Sequence, residues 1–433
     1  MTNPYPAVTL QQLLHHCSTK LKIDQNHPFY VERKGDSQRL APVRKRMKTV
    51  LTGHAQDIPE RQYSEEIRPR KLLFTGPHAC GKSLELRILK EEIADMYEVV
   101  FIDTADAQKW FHSGKELLFF IAEKMLRLCG SRPYLEENMV KSVQKLYHYV
   151  HHAMALSEKE SAEGKTGEGI CTLTAALLSL LQRDIVMKNH IPACFDGFSD
   201  LVYGITAEMN RIMIQQGKLL LVMIDSDAVA DCFLHQDIAA ITRLPCSLIL
   251  TCPLYMYSAG MLSWPDGEVF QLRRIKVHEK DQSPCMEGIL MMEEIVRRRV
   301  DPDVLLENPE DLKTAILNSS GINDLFGYLV FAAINAEAWG LSKIRTVDLE
   351  LAFEEKQGTF KRSLTKEYLP LLKEILEDRT KEKIIQEKSS RHLLMELMAK
   401  DMVAAYDVSG WYDLHPMLKE VMKRKSAGNS RTG

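Results

Sequence analysis

The sequence predicts an α/β protein: a parallel-sheet domain, then an all-helical segment, then a short helix–hairpin unit. Three observations carry that prediction. Short apolar runs end in polar or acidic residues at 72–74, 98–103, 219–225 and 247–251, with helical patterns between them and no hairpin signal. From Met286 to Thr359 apolar residues recur almost throughout at helical spacing. Beyond residue 364, helices give way to two short strands joined at Ser409-Gly410.

Composition narrows the function classes. A chain of 433 residues exceeds one typical core and implies several domains. At 45% hydrophobic and 27% charged residues it reads as a soluble globular protein. No apolar run reaches the ~18 residues of a membrane-spanning helix. The start, MTNPYPAVTLQQLLHH, lacks a charged-then-apolar export signal, so a cytoplasmic location is expected. The 9 cysteines are scattered without a CxxC pair, which favours reduced thiols over a disulfide framework or a zinc site. A net charge of −3 gives no global electrostatic case for nucleic acid.

The elements follow in order. Leu10–Leu21 reads as a short helix. His27-Pro-Phe-Tyr-Val31 reads as a strap over the first strand or as a wall for a bound base. Arg39–Leu51 reads as a basic helix, and Arg68, Arg70 and Lys71 as solvated charges at a strand edge. Leu72–Phe74 is the first buried strand, and Glu98–Asp103 the second. Helices are expected over 115–128, 175–185 and 198–215, with an exposed charged, glycine-rich loop at 157–169. The third strand is Leu219–Ile224, the fourth Ser247–Leu250 and the fifth Val269–Leu272. Helices at 286–299, 309–318, 323–339 and 346–359 follow. Then come helices at 367–378, 383–387 and 389–400, strands 403–406 and 411–414, and a basic tail from Lys423 expected to fray. The expected boundaries are 1–60 for an N-terminal helical strap, 61–280 for the α/β domain and 281–362 for a helical lid. A winged helix-turn-helix over 363–425 and a flexible tail over 426–433 complete them.

The first strand runs directly into Gly76-Pro77-His78-Ala79-Cys80-Gly81-Lys82-Ser83, and a helical pattern starts at Leu84. Strand, glycine-bounded loop and helix in that order form a P-loop. Gly76 and Gly81 permit backbone angles that turn successive N–H groups inward. The positive end of the following helix adds to them. Residues 76–84 are therefore the candidate ligands of a nucleotide's phosphates. Lys82 supplies a mobile cation for the β- and γ-phosphates, and the Ser83 hydroxyl a ligand for Mg²⁺. An acid is needed to organise that metal. Asp225, at the end of a strand buried on both faces, fits. Asp227 is the candidate general base for a lytic water, with helix capping as its alternative. Thr251, at the end of the fourth strand, is the candidate sensor of a terminal phosphate. No Asn-Lys-x-Asp string exists to read guanine, which favours ATP and ADP.

These residues, with VVFID at 99–103, LLLVMIDSDAV at 219–229, LPCSLILTCPLYMYS at 244–258, IKVHEKDQSP at 275–284 and WYDLHPMLKEV at 411–421, resemble STAND-type and Orc/Cdc6-like AAA+ P-loop ATPases. The resemblance spans about 30–425. It implies a P-loop NTPase domain, an α-helical lid and a C-terminal winged helix. It also implies a molecular switch in which ATP and ADP hold different domain arrangements and slow hydrolysis gates a protein partner or self-assembly. Two positions depart from it. Asp225-Ser226 stands where many such ATPases have Asp-Glu. In Gly321-Ile322-Asn323, the asparagine stands where a lid arginine is expected, and it cannot supply that charge. Arg297, Arg298 and Arg299 could substitute, against the reading of a solvated helix face.

Other features are read more simply. The helix with Lys388, Arg391, His392, Glu396 and Lys400 could face DNA, but its apolar content favours packing or protein contact. His415 reads as a capping or packing histidine, and Trp339 and Trp411 as core residues.

Overall fold

The computed structural model describes residues 6–18, 21, 23–32, 41–56, 69–78, 80–104, 117–118, 120–122, 124–125, 128, 195–226, 238–258, 262, 264, 267–377, 388–406 and 411–429. The loop expected at 157–169 and the helices expected at 175–185 and 383–387 lie outside them, as do Ala79 and Asp227.

The chain forms α1 (Leu10–His16), α2 (Val43–Gln56), β1 (Lys71–Gly76), α3 (Lys82–Glu92), β2 (Tyr97–Asp103), α4 (Phe195–Gln215), β3 (Leu219–Asp225), α5 (Ile238–Thr242), β4 (Ser247–Pro253), α6 (Leu254–Ser258) and β5 (Glu268–Gln271). The sheet is five-stranded, in the order β2-β3-β4-β1-β5, and every pairing in it is parallel. This is the α/β fold that the sequence predicts. All strands point the same way, so their C-terminal ends share one edge. β3 and β4 are buried at every position, as the unbroken apolar runs require.

Pleating sends alternate residues into two cores. Leu73, Leu220, Val222, Leu248 and Leu250 face one, with Leu117, Ile121 and Met125 and the apolar stripe of α4. Leu72, Phe74, Leu221, Met223 and Ile249 face the other, covered by α2 and α3. Lys71, expected in solvent, instead lends its ammonium to the carbonyls of Leu244 and Cys246 (2.5 and 2.6 Å). The Leu244 and Cys246 carbonyls just ahead of β4 thus take a cation as donor.

Beyond β5 the chain is helical: α7 (Met286–Arg297), α8 (Pro302–Leu305), α9 (Asp311–Asn318), α10 (Ile322–Ala338) and α11 (Thr346–Ser363). Then come α12 (Tyr368–Glu377), α13 (Lys388–Ala399), the antiparallel hairpin β6 (Val403–Ala405) with β7 (Tyr412–Leu414), and α14 (Pro416–Asn429). The last helix continues past Lys423, where fraying is expected. Helices α7–α11 and this winged-helix-like part share one apolar core, with residues from Ile289 to Met422, which also takes in Leu10 and Leu13 of α1 and Leu254 of α6. The N-terminal segment is thus divided. α1 belongs with the lid, where Ala7 bridges Val300, and α2 belongs with the sheet.

Asp324 fastens the lid to the C-terminal part. Its carboxylate accepts from the Tyr328 hydroxyl (2.9 Å) and the His415 imidazole Nε2 (2.8 Å), and pairs with Lys356 (2.9 Å). His415 is fully buried. Its Nδ1 accepts the Met417 N–H (3.1 Å) and its ring packs on Phe360 (4.8 Å), the capping and packing role expected of it. Trp411 is buried and stacks on Tyr406 at 4.4 Å. Trp339 is not a core residue. It caps the C-terminus of α10 and is 72% exposed, because the helix ends before its apolar face turns inward again.

Two stability outcomes follow. Leu221→Ala, at the centre of the sheet, should cost ~3 kcal/mol in chemical denaturation, while Val269→Ala on the exposed edge strand should cost under ~1 kcal/mol. Burial pushes the Asp324 carboxyl up, but its hydrogen bond from His415 and its pairing with Lys356 outweigh it and hold it well below the ordinary value. A depressed folded-state pKa gives stability that is complete above ~pH 4 and is lost as pH falls below it. Asp324→Asn should therefore cost ~2 kcal/mol at pH 7, with the gap to wild type closing on acidification in denaturation curves taken at stepped pH.

Candidate functional site

β1 delivers the loop to the sheet's C-terminal edge. Gly76, its last residue, could not carry a side chain: an added Cβ would lie 2.6 Å from the Leu272 carbonyl and 2.9 Å from Cys80 Sγ. Gly81 is the N-cap of α3 with φ +100°, a left-handed conformation that suits glycine. Between them Pro77 is buried, His78 exposed and Cys80 half-buried. Lys82 begins α3 and is buried. Its ammonium donates to the carbonyls of Gly76 (2.8 Å) and Pro77 (2.7 Å), so the cation sits in the concave side of the loop. Ser83 and Leu84 follow in the first helical turn, both partly buried. The loop thus combines a helix N-terminus with a buried cation, a combination suited to anions.

Parallel pairing brings the other predicted residues to the same edge. Phe74 lies opposite Thr251, and Ile224 opposite Leu250. Asp225 is buried at the end of β3. Its Oδ1 accepts from the Thr251 hydroxyl (3.3 Å), and its carbonyl accepts from Thr104 (2.7 Å). Thr251 Oγ1 also accepts the Ser226 N–H (2.7 Å), and the Ser226 hydroxyl donates to the Thr251 carbonyl. Ser226 is thus a buried tie between β3 and β4. Its side chain is turned into the sheet and not toward the loop. Hard oxygen donors, the Ser83 hydroxyl and the Asp225 carboxylate, are the type of set Mg²⁺ takes.

Two cavities adjoin this edge. One of ≈ 240 Å³ lies between the loop residues His78 and Cys80 and the lid residues Gly321, Asn323 and Asp324. A larger one of ≈ 650 Å³ is walled by Val31, Glu32, Arg274, Leu290, Met291 and Trp411 among others, a size ordinary for small-molecule sites. They share Arg274 and Ile275. The strap contributes Val31 and Glu32 to this wall, but its aromatic rings point elsewhere. Phe29 packs on His16 (4.7 Å) and lies 5.9 Å from the Arg299 guanidinium, while the Tyr30 hydroxyl accepts from Arg44 (2.7 Å).

Asn323 lines the smaller cavity. The arginine triplet splits. Arg297 and Arg298 pair with Glu293 and Glu294 on their own helix. Arg299 turns inward over Phe326, 4.5 Å from its ring centre, so it does not belong to a solvated face. The cations that do line the smaller cavity are Arg274 and Lys356. No local signal in the sequence marks them, because the docking of the lid alone brings them there. In α13, Leu394 and Leu397 are buried and Lys400 bonds Glu396 (2.7 Å) and the Tyr368 hydroxyl (2.6 Å), so the helix packs on α12.

No family model matches the chain, and no curated protein matches it. Solved structures do share its course at low identity. Drosophila ORC bound to DNA is 10% identical over 96% of this chain and 91% of that one, with a TM-score of 0.37. The ORC2 protein of Aeropyrum pernix in its ADP form is 12% identical over 93% of this chain and 97% of that one, with a TM-score of 0.38. RuvB, the Holliday junction branch migration motor of Thermotoga maritima, is 10% identical over 90% of this chain and 97% of that one, with a TM-score of 0.34. Likeness at this level concerns the path of the chain and carries nothing about activity.

Proposed function

We propose that the chain is an ATP-binding molecular switch with slow, Mg²⁺-dependent hydrolysis that controls a protein partner or an assembly. The observation that supports it most is the buried Lys82 ammonium inside a glycine-bounded loop at a helix N-terminus, on the same sheet edge as the Asp225–Thr251 strand ends. In this reading backbone N–H groups of residues 76–84 bind the phosphates of ATP or ADP, and Lys82 neutralises them. Ser83 and Asp225 would hold Mg²⁺, whose charge would offset that of the phosphate chain. Thr251 positions Asp225 and senses the terminal phosphate. The larger cavity, next to the strap, takes the base.

Slow turnover is part of the proposal. Ser226 is committed to β4, so it leaves the water-activating role to Asp227, one residue further on. Asn323 carries no charge to offset the transition state. Packing of α13 against α12 favours a protein partner over DNA.

Titration of MgATP into wild type and Lys82→Ala tests the binding half. The variant should bind at least ~100-fold more weakly, and equal affinities would move the site away from this loop. Single-turnover phosphate release tests the other half. Asp227→Ala should lose ~100-fold in rate with ATP affinity kept, whereas wild-type turnover would remove Asp227 as the base.

A further inference from the structure

The smaller cavity has a cationic wall of unusual construction. Arg274, on the segment leaving β5, and Lys356, on α11, both line it together with the loop residues His78 and Cys80. Each is already neutralised from within the chain. The Arg274 guanidinium donates to Asp401 Oδ1 (3.1 Å), just ahead of β6, and to the Ser320 carbonyl (2.7 Å). Lys356 pairs with Asp324 (2.9 Å).

The two carboxylates are not equally held. Without Lys356, Asp324 would still accept from Tyr328, His415 and the Ser320 N–H. Without Arg274, the described contacts of the Asp401 carboxylate reduce to the Ser320 hydroxyl (3.1 Å). Asp401 also sits at φ +57°, a left-handed conformation that a carboxylate residue adopts only with local support. Asp401 is therefore the weaker member of the group and the one placed to let go.

A metal ion does not explain the cluster. Asp324, Asp401 and His415 are close enough to share one. But His415 Nδ1 accepts the Met417 N–H, so Nε2 bears the proton it gives to Asp324 and has no lone pair to offer. The negative charges are already met by Arg274 and Lys356.

We propose that Arg274 and Lys356 contact the outermost phosphate of a nucleoside triphosphate seated on the loop, and that Asp401 is the internal anion that Arg274 leaves to do so. This rests on the nucleotide reading of the loop. A buried guanidinium must stay compensated. A phosphate dianion offers it more charge and a better match to its planar fork than a singly bonded carboxylate. A phosphate arriving while Asp401 stayed would crowd two anions onto one cation. Binding and release of Asp401 are therefore coupled. A diphosphate, one phosphate shorter, leaves the Arg274–Asp401 bond in place. The coupling is reciprocal: whatever weakens that bond must tighten triphosphate binding. Asp401 leads directly into β6, so the C-terminal hairpin is the element that registers the difference.

The test is titration calorimetry of the full chain with MgATP and with MgADP. Asp401→Asn removes the competing charge and suits the backbone, since asparagine is at ease at positive φ. It should tighten MgATP by ~10-fold and leave MgADP within ~2-fold. Lys356→Gln, at a partly exposed position where glutamine can still hydrogen-bond Asp324, should weaken MgATP by ~10-fold and MgADP much less. The proposal is overturned if Asp401→Asn keeps the wild-type ratio of the two affinities, or if Lys356→Gln shifts both nucleotides equally. Should wild type and Lys82→Ala bind both nucleotides alike, the loop assignment itself fails and takes the proposal with it. Wild-type binding that depends on Lys82 but ignores Asp401 and Lys356 sinks the proposal alone.

Discussion

A parallel sheet has one edge where every strand ends, and the arrangement described above depends on that constraint. In this chain the central strands β1, β3 and β4 have no solvent-facing side. A one-residue slip would send Leu221 and Met223 into the core meant for Leu220 and Val222. Register is therefore strictly specified by packing. The same register sets the Thr251–Asp225 contact at 3.3 Å and brings both beside the loop that β1 delivers. Chemistry at the edge is inherited from burial in the middle.

The apolar half of this design was legible in the sequence because buried parallel strands are written as unbroken apolar runs. Leu219–Ile224 could be little else, and Asp225 marks its end. The P-loop was legible because its residue types answer to local geometry: Gly81 needs φ > 0, and Lys82 needs to open a helix. Positions that depend on two bodies meeting were not legible. Arg299 reads as one of three exposed arginines until α1 and the strap arrive to cover it. Arg274 and Lys356 are 82 positions apart by their numbers and converge through docking of the lid. Trp339 failed for the opposite reason. Its size suggests a core, but a residue capping the end of a helix need not follow the stripe that precedes it.

Ser226 illustrates how a short polar residue at a strand end can serve the frame of the sheet. Its hydroxyl and N–H both bind Thr251, which ties β3 to β4 at the edge where Asp225 and Thr251 stand. A glutamate there would have no room to make the same bonds.

The division of the N-terminal segment has a mechanical meaning. α1 is built into the lid core and α2 into the sheet core, so the chain crosses between the two bodies twice, once before β1 and again after β5. A body held at a single crossing can swivel freely. One held at two is more constrained. The Tyr30 carbonyl takes a hydrogen bond from Arg298 on the lid side while its hydroxyl takes one from Arg44 on the sheet side, which pins the first crossing. Leu254 of α6 lies in the lid core as well, so the α/β part and the helical part are held by side-chain packing in addition to the chain crossings, and separating them would expose buried apolar surface.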